Sequence, residues 1–467
     1  MKPQIVILGA GVTGLAAAWK LLKSSDRYDI TLVERDAVPG GMAKTLSWNG
    51  LSLDLGPHRF HTEIPEIQEF MRGFCLKRLV RVKRFSRMFL NGCYIPYPIS
   101  PWPTLRALGM RSAAALALSA LSVLFRQPAR PAETYEEYVK GYYGDGLYLR
   151  IFEPFAIKVW GLHPSRIAAE TARVRLRGDN IWRSLIDGFL SKQETYVAEF
   201  LYPPGGIGEI ARKFAEEVEA AGGKFLYQRE AVSLRVHEGR IESVELKGSG
   251  GSDCLPCDVL INTIPLPDMI RLLTPSVPAE IAGASDELHF RGVVLLYLLY
   301  KNDLVLSDTW LYYPEMAVPF TRISVPGNFD SEPSRRAKNC LCLEFCCEAG
   351  DQTWNSDHAD LADKANAVLA SSGLVQSKPI DSLALHLREG YPVYHAGYEK
   401  PLRRVLAHLR AMGNVLTAGR QGLFRHNNID QSIQMGLLAA EEIMAQASDF
   451  SHWYDSVSRF NDYRIVD

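Results

Sequence analysis

The sequence predicts an α/β fold, with a Rossmann-like nucleotide-binding domain interrupted by a mixed-sheet domain and a helical domain. Three observations predict it. An apolar run at 5–8 (IVIL) runs into closely spaced glycines, a helical stretch and a second apolar run at 30–34 (ITLVE). Residues 288–350 alternate in the manner of an antiparallel sheet, notably in VVLLYLLY, WLYYP and CLCLEF. Late in the chain, NVLTAGRQG and SIQMGLLAAEEIMAQ read as a strand, a glycine turn and a closing helix.

Between these landmarks the periodicity sets the elements. Residues 51–62 (LSLDLGPHRFHT) alternate like a strand entering a loop, and 64–200 read as mostly helical with Pro and aromatic interruptions around YIPYPISPWP. The pattern resets at LYPPGGIGEIARKFAEEVEAAGG, where Ile207, Ile210, Ala211, Phe214 and Val218 share a helix face that Gly222 and Gly223 end. Strands are expected in KFLYQ, AVSLRVHEGRIESVELKG and DVLINTIP. The nucleotide-binding domain is therefore expected in three pieces, 1–63, 201–270 and 406–467. Residues 64–200 form a helical domain and 271–405 an antiparallel-sheet domain, both facing substrate.

Composition excludes some partners. With 467 residues and a net charge of −1, there is room for several cores but no basic field to hold nucleic acid. The chain enters its first apolar run without a leader pattern, so a cytoplasmic location is expected. Residues 113–125 (AAALALSALSVLF) are too short to span a bilayer and read as a core helix or a peripheral membrane contact. Cys254 and Cys257 form a lone C-x-x-C, and Cys342, Cys346 and Cys347 fall in an apolar strand, so no metal site is expected. Nothing in the sequence sets the oligomeric state.

The opening glycines carry the first chemistry. Gly9 permits a tight turn, Gly11 lets a pyrophosphate approach the backbone, and Gly14 lets helix and strand pack closely. The pyrophosphate would sit at the helix N-terminus, on the N–H groups of Val12 and Thr13. Glu34, twenty residues past Gly14 and followed by Arg35, is placed for ribose hydroxyls and disfavours a 2′-phosphate.

RDAVPGGMAKT, DLGPH and VLTAGRQG together resemble the flavoprotein group of amine oxidases, protoporphyrinogen oxidase, phytoene desaturase and UDP-galactopyranose mutase. That resemblance implies non-covalent FAD. Gly40, Gly41 and Met42 would pass near the flavin, with Gly56, Pro57 and His58 beside it. Gly419, Arg420, Asp430, Gln431 and Ser432 would cap it.

Further stretches are similar to the mutases in particular: GPHRFHT, YIPYPIS, FAIKVWGLHPSRI, PFTRIS and GRQGLFRHNNIDQSI, in that order. The likeness implies reduced-flavin chemistry at the anomeric carbon of a nucleotide sugar, without net redox. It places His58, His61, Arg322 and Tyr391 at the reacting centre. Phe155 and Trp160 would form the base-binding wall, with Arg173 or Arg175 on phosphate and Tyr313, His426 and Asn427 around the substrate. The arginines continue in Arg177 and Arg183.

The chain also departs from that pattern. Phe155 replaces a stacking tyrosine, His426 replaces a tyrosine at the diphosphate, and the second phosphate-clamp arginine aligns near Cys347. Losing one charge-assisted partner costs roughly 1.5–3 kcal/mol, which Arg59 or Arg425 would have to offset. The substrate is then a different nucleotide sugar or not a nucleotide. The rival expectation is an FAD-dependent oxidase or dehydrogenase of the amine oxidase, protoporphyrinogen oxidase or phytoene desaturase type.

Overall fold

A computed structural model describes residues 2–74, 79–97, 119, 123, 131–176, 199–248, 251–302, 304–330, 339–445 and 449–465. Its centre is a five-stranded parallel sheet in the spatial order Val415–Thr417, Val259–Asn262, Gln4–Leu8, Asp29–Glu34, Lys224–Tyr227. Strands from the beginning, middle and end of the chain thus build one sheet. The strand Gln4–Leu8 is buried on both faces, which is why it reads as an unbroken apolar run.

The helix Val12–Ser24 packs between the helices Gly208–Ala220 and Ile429–Met444. A Cβ on Gly436 would drive into the Thr13 carbonyl oxygen, so glycine there sets how closely the last long helix approaches the first.

A seven-stranded mixed sheet lies beside this core, ordered Asp381–Pro392, Phe290–Leu299, Cys340–Cys347, Arg322–Ser324, Trp310–Tyr312, Ser86–Leu90, Cys93–Pro96. All neighbours run antiparallel except Trp310–Tyr312 against Ser86–Leu90. A four-stranded sheet contains Arg229–His237, Arg240–Gly248, Gly251–Pro256 and Leu273–Thr274.

The stretch 64–200 is less helical than its sequence suggests. It supplies the strands Val80–Lys83, Ser86–Leu90, Cys93–Pro96 and Glu199–Tyr202. Asn91 (φ +50°) and Gly92 (φ +76°) make the two-residue turn of a hairpin in which Leu90 faces Cys93. That Asn-Gly pair was the available signal.

Among the described residues, no helix is long and apolar enough to cross a membrane. The segment 113–125 lies outside them except for Ser119 and Val123. Ser119 Oγ accepts a hydrogen bond from Gly146 N at 2.8 Å, and Val123 is buried. Arg177 and Arg183 also lie outside the described residues. The cysteines of the strand Cys340–Cys347 carry free thiols, as do Cys254 and Cys257.

Candidate active site

The first turn of the nucleotide-binding unit is built as its glycines require. Gly9 has φ +96° and donates from its N–H to the Val33 carbonyl at 2.8 Å, tying the ends of two parallel strands. Gly11 bridges Gly40, and a Cβ on Gly41 would lie 3.2 Å from Gly11 Cα. The two backbones therefore converge, and on the Gly41 side only a glycine allows the approach. Gly11 is the N-cap of Val12–Ser24 and brings no side chain to the first-turn N–H groups, which stay open to an anion. Glu34 Oε2 accepts from Ala10 N at 2.8 Å and Oε1 from Asp36 N at 2.9 Å, fixing the carboxyl at the lip of that turn. Burial pushes its pKa up.

These residues open onto a cavity of about 920 Å³. Ligand pockets span roughly 300–1,000 Å³, so this one has room for a dinucleotide. Gly9, Gly11, Val12, Thr13, Glu34, Arg35, Gly40, Gly41, Met42, Pro57, His58, Gly419, Arg420 and Ser432, all candidate cofactor residues from the sequence, line it. Arg35 also lies 3.7 Å from Glu389. Gly14 sits one turn inside the helix, where a Cβ would overlap the Gly9 carbonyl. Gly56 (φ +85°) borders a smaller adjoining cavity with Asp54 and His58.

Gln431 and Asp430 do not line the large cavity. Gln431 Oε1 accepts from Asn428 N at 2.8 Å and its Nε2 donates to the Arg464 carbonyl at 2.9 Å, so it caps a helix and pins the C-terminal segment. Asp430 is buried beneath that turn, where burial lifts its carboxyl to about 6. Asn428 and Ile429 take their place on the wall, joined by Lys44, residues 229–231 and residues 263–265. The Pro of NTIP, just past a buried strand, was the legible sign for the last of these.

His58 lines both cavities. Burial, then Arg420 and Arg322, lower its pKa to about 4, so the ring is neutral at pH 7. His61 does not share this position. It lies 3.9 Å from Glu63 and lines neither cavity.

Beyond His58, aromatic and cationic side chains interleave. The Arg175 guanidinium sits 5.1 Å from the Trp160 ring and 5.8 Å from the Tyr391 ring. Trp160 meets Tyr391 edge-on at 6.0 Å and His426 at 5.1 Å. His426 packs on Tyr394 at 4.5 Å and donates from its N–H to Tyr394 Oη at 2.9 Å. Burial holds its imidazole well below its ordinary pKa, and Nε2 has no partner. Arg420 Nη2 donates to the Asn427 carbonyl at 2.5 Å. Burial and the nearby Arg175 charge lower its pKa. Asn427 also donates from Nδ2 to Ser432 Oγ at 2.8 Å.

Three sequence assignments shift. Arg173 is exposed and donates to the Ala132 carbonyl at 2.5 Å, leaving Arg175 as the inward arginine of the pair. Tyr313 points into the core behind the seven-stranded sheet, 3.0 Å from Tyr94 Oη, because strand alternation sends Tyr312 to the site face instead. Tyr312 meets Phe155 edge-on at 6.1 Å. Arg322 pairs with Glu344 through Nε–Oε1 at 2.9 Å and Nη2–Oε2 at 3.0 Å, which neutralises it.

The profile of the family described as flavin containing amine oxidoreductase matches residues 12–361. The chain belongs to this family. Such a flavin enzyme, mutase or oxidoreductase, takes FAD, and the glycine cradle, the Glu34 carboxyl and the cavity volume fit that cofactor. Its substrate is a small molecule.

This flavoenzyme is 19% identical to coproporphyrinogen III oxidase of Staphylococcus aureus (strain NCTC 8325 / PS 47), over 96% of this chain and 100% of that one. It is 24% identical to the probable UDP-galactopyranose mutase of Klebsiella pneumoniae, over 46% of this chain and 57% of that one. Among solved structures it matches a reduced UDP-galactopyranose mutase with TM-score 0.82 and 21% identity, over 99% of this chain and 98% of the other. A putative protoporphyrinogen oxidase from Exiguobacterium sp. 255-15 matches with TM-score 0.74 and 17% identity, over 96% and 100%. At these identities the structures show the shared fold.

Proposed function

We propose that this flavoenzyme acts on a nucleotide sugar with reduced FAD, in pyranose–furanose isomerisation or related chemistry at the anomeric carbon. One observation carries the reading. Arg175 lies on the faces of Trp160 and Tyr391 with its Nε buried and without an acceptor, and no carboxylate among the described residues pairs with it. Arg420, close enough to feel that charge, also has no ion pair among the described residues. Two cations left without anions in a largely dry site favour an anionic ligand such as a diphosphate.

Bound and reduced, FAD supplies a nucleophilic nitrogen at the centre of its ring system. The chain's own residues then have separable tasks. Arg175 and Arg420 hold the departing diphosphate and stabilise charge as it develops. Trp160, Tyr391 and Phe155 wall the site and exclude water. Neutral His58 offers a ring nitrogen that can hydrogen-bond a sugar oxygen at pH 7.

A second reading, oxidation of an anionic tetrapyrrole precursor, is favoured by the end-to-end likeness to the staphylococcal oxidase. The two part in one experiment. Anaerobically reduced holoenzyme is incubated with UDP-galactose, UDP-glucose and their uronates, and products are separated by anion-exchange chromatography. A new ring isomer supports the nucleotide-sugar reading. No turnover of any sugar, together with oxygen consumption on coproporphyrinogen, establishes the oxidase instead.

A further inference from the structure

The site face of the strand Trp310–Tyr312 continues past Tyr312 to Trp310, two residues away and therefore roughly 7 Å along the strand. Trp310 is buried and its Nε1 has no acceptor. The Arg84 guanidinium lies 5.0 Å from the Trp310 ring and 5.7 Å from the Tyr97 ring. Its Nε reaches Ser86 Oγ at 3.3 Å, but Nη1 and Nη2 are both buried and have no partner. No carboxylate among the described residues pairs with Arg84. Three donor nitrogens of these two neighbouring side chains thus have no acceptor among the described residues, and one group bears a full charge. Arginine cannot relieve this by losing its proton, and an anionic ligand would satisfy both its charge and its donors.

The place belongs to the substrate side. Tyr97, against Arg84, packs 4.8 Å from Tyr312, which meets Phe155. Arg59 lines the cofactor cavity next to His58 and lies 5.4 Å from the same Trp310 ring. The arrangement thus starts at the cofactor wall and is separate from the Arg175–Trp160–Tyr391 group. A planar guanidinium fork suits a carboxylate.

We propose that Arg84 and Trp310 form a subsite for a carboxylate on the sugar ring of the substrate, making that substrate an acidic nucleotide sugar of the hexuronate class. The inference rests on the nucleotide-sugar reading, with the diphosphate held at Arg175 and the second anion carried by the sugar.

Calorimetric titration of the oxidised holoenzyme with UDP, UDP-galactose and UDP-galacturonate tests it, in the wild type, Arg84→Met and Arg84→Lys. The wild type is expected to bind the uronate about tenfold to a hundredfold more tightly than the neutral sugar. Arg84→Met should abolish that preference, and Arg84→Lys should retain part of it, while UDP affinity stays the same in all three. If UDP binds but the wild type shows no uronate preference, the subsite is overturned and the nucleotide-sugar reading stands. A preference that survives in Arg84→Met also overturns it. If UDP itself does not bind, both fall together. Should Arg84→Met lose its flavin through misfolding, the wild-type preference and Arg84→Lys decide.

Discussion

Arg322 and Glu344 form a bidentate pair on neighbouring antiparallel strands, directly opposite one another in register. Glu344 is 3% exposed, so each charge depends on the other. Burial opposes the Arg322 charge, but Glu344 outweighs it and the guanidinium pKa is raised. The pair therefore fixes the floor of the site near Tyr391 and Gly56, and Arg322 has no surplus charge for a substrate. Glu344→Gln leaves a buried cation uncompensated, and chemical denaturation should show a loss of about 3–5 kcal/mol. A loss below about 1 kcal/mol would mean that Arg322 finds another anion.

Asp54 gives a pH-dependent prediction. It accepts from Thr45 Oγ1 at 2.5 Å, Tyr202 Oη at 2.6 Å and Ile207 N at 3.0 Å, linking the glycine-rich segment before Gly208–Ala220 to the hairpin at 45–54. Burial nonetheless raises its pKa from 3.8 to about 6. The folded state thus holds this proton more tightly than the unfolded chain. The associated stability is complete below pH 3.8 and lost as pH rises through about 6. Asp54→Asn removes that loss. The stability of the variant minus that of the wild type should rise by roughly 2 kcal/mol between pH 4 and 7, read from urea unfolding at each pH. A difference that is flat with pH would show that the three donors hold the carboxyl at its ordinary pKa.

The cofactor end of the site was more legible than the substrate end, for a physical reason. A pyrophosphate cradle needs backbone space, and only glycine provides it, so Gly9, Gly11, Gly14, Gly40 and Gly41 announce themselves by residue type. Substrate contacts depend on which face of a strand or helix turn points inward. Tyr312 and Tyr313 are adjacent tyrosines at the end of one strand and just past it, and only the register against Arg322–Ser324 and Ser86–Leu90 decides which faces the site. Arg173 and Arg175 differ in the same way. Gln431 resembled a cofactor residue because helix caps and anion sites use the same polar side chains at the same turn.

Arg175→Met tests the anion argument directly. The aliphatic replacement keeps much of the packing on Trp160 and Tyr391 but removes the charge. Flavin content should be unchanged, because Arg175 does not line the cofactor cavity. Affinity for UDP should fall about tenfold to a hundredfold, as expected for one charge-assisted partner. Unchanged UDP affinity would remove Arg175 from the binding site.

Lys158 argues for the last prediction. Its Nζ donates to the carbonyls of Tyr313 at 2.6 Å, Phe320 at 2.7 Å and Glu315 at 3.0 Å. One amine therefore closes the loop between the strands Trp310–Tyr312 and Arg322–Ser324 and fastens it to the helix Glu153–Trp160, although burial lowers its pKa to about 7. That helix carries Phe155 and Trp160, the side chains proposed to wall the substrate, so the lysine positions them without lining the cofactor cavity itself. Lys158→Met fills the space but leaves three carbonyls without their donor, at a cost of about 1–3 kcal/mol. Tryptophan fluorescence should report a shifted Trp160 environment, and KM should rise more than kcat falls, with flavin still bound. Lys158→Arg should restore part of the stability. If Lys158→Met leaves both stability and KM untouched, water already satisfies these carbonyls and the helix is held by its apolar contacts.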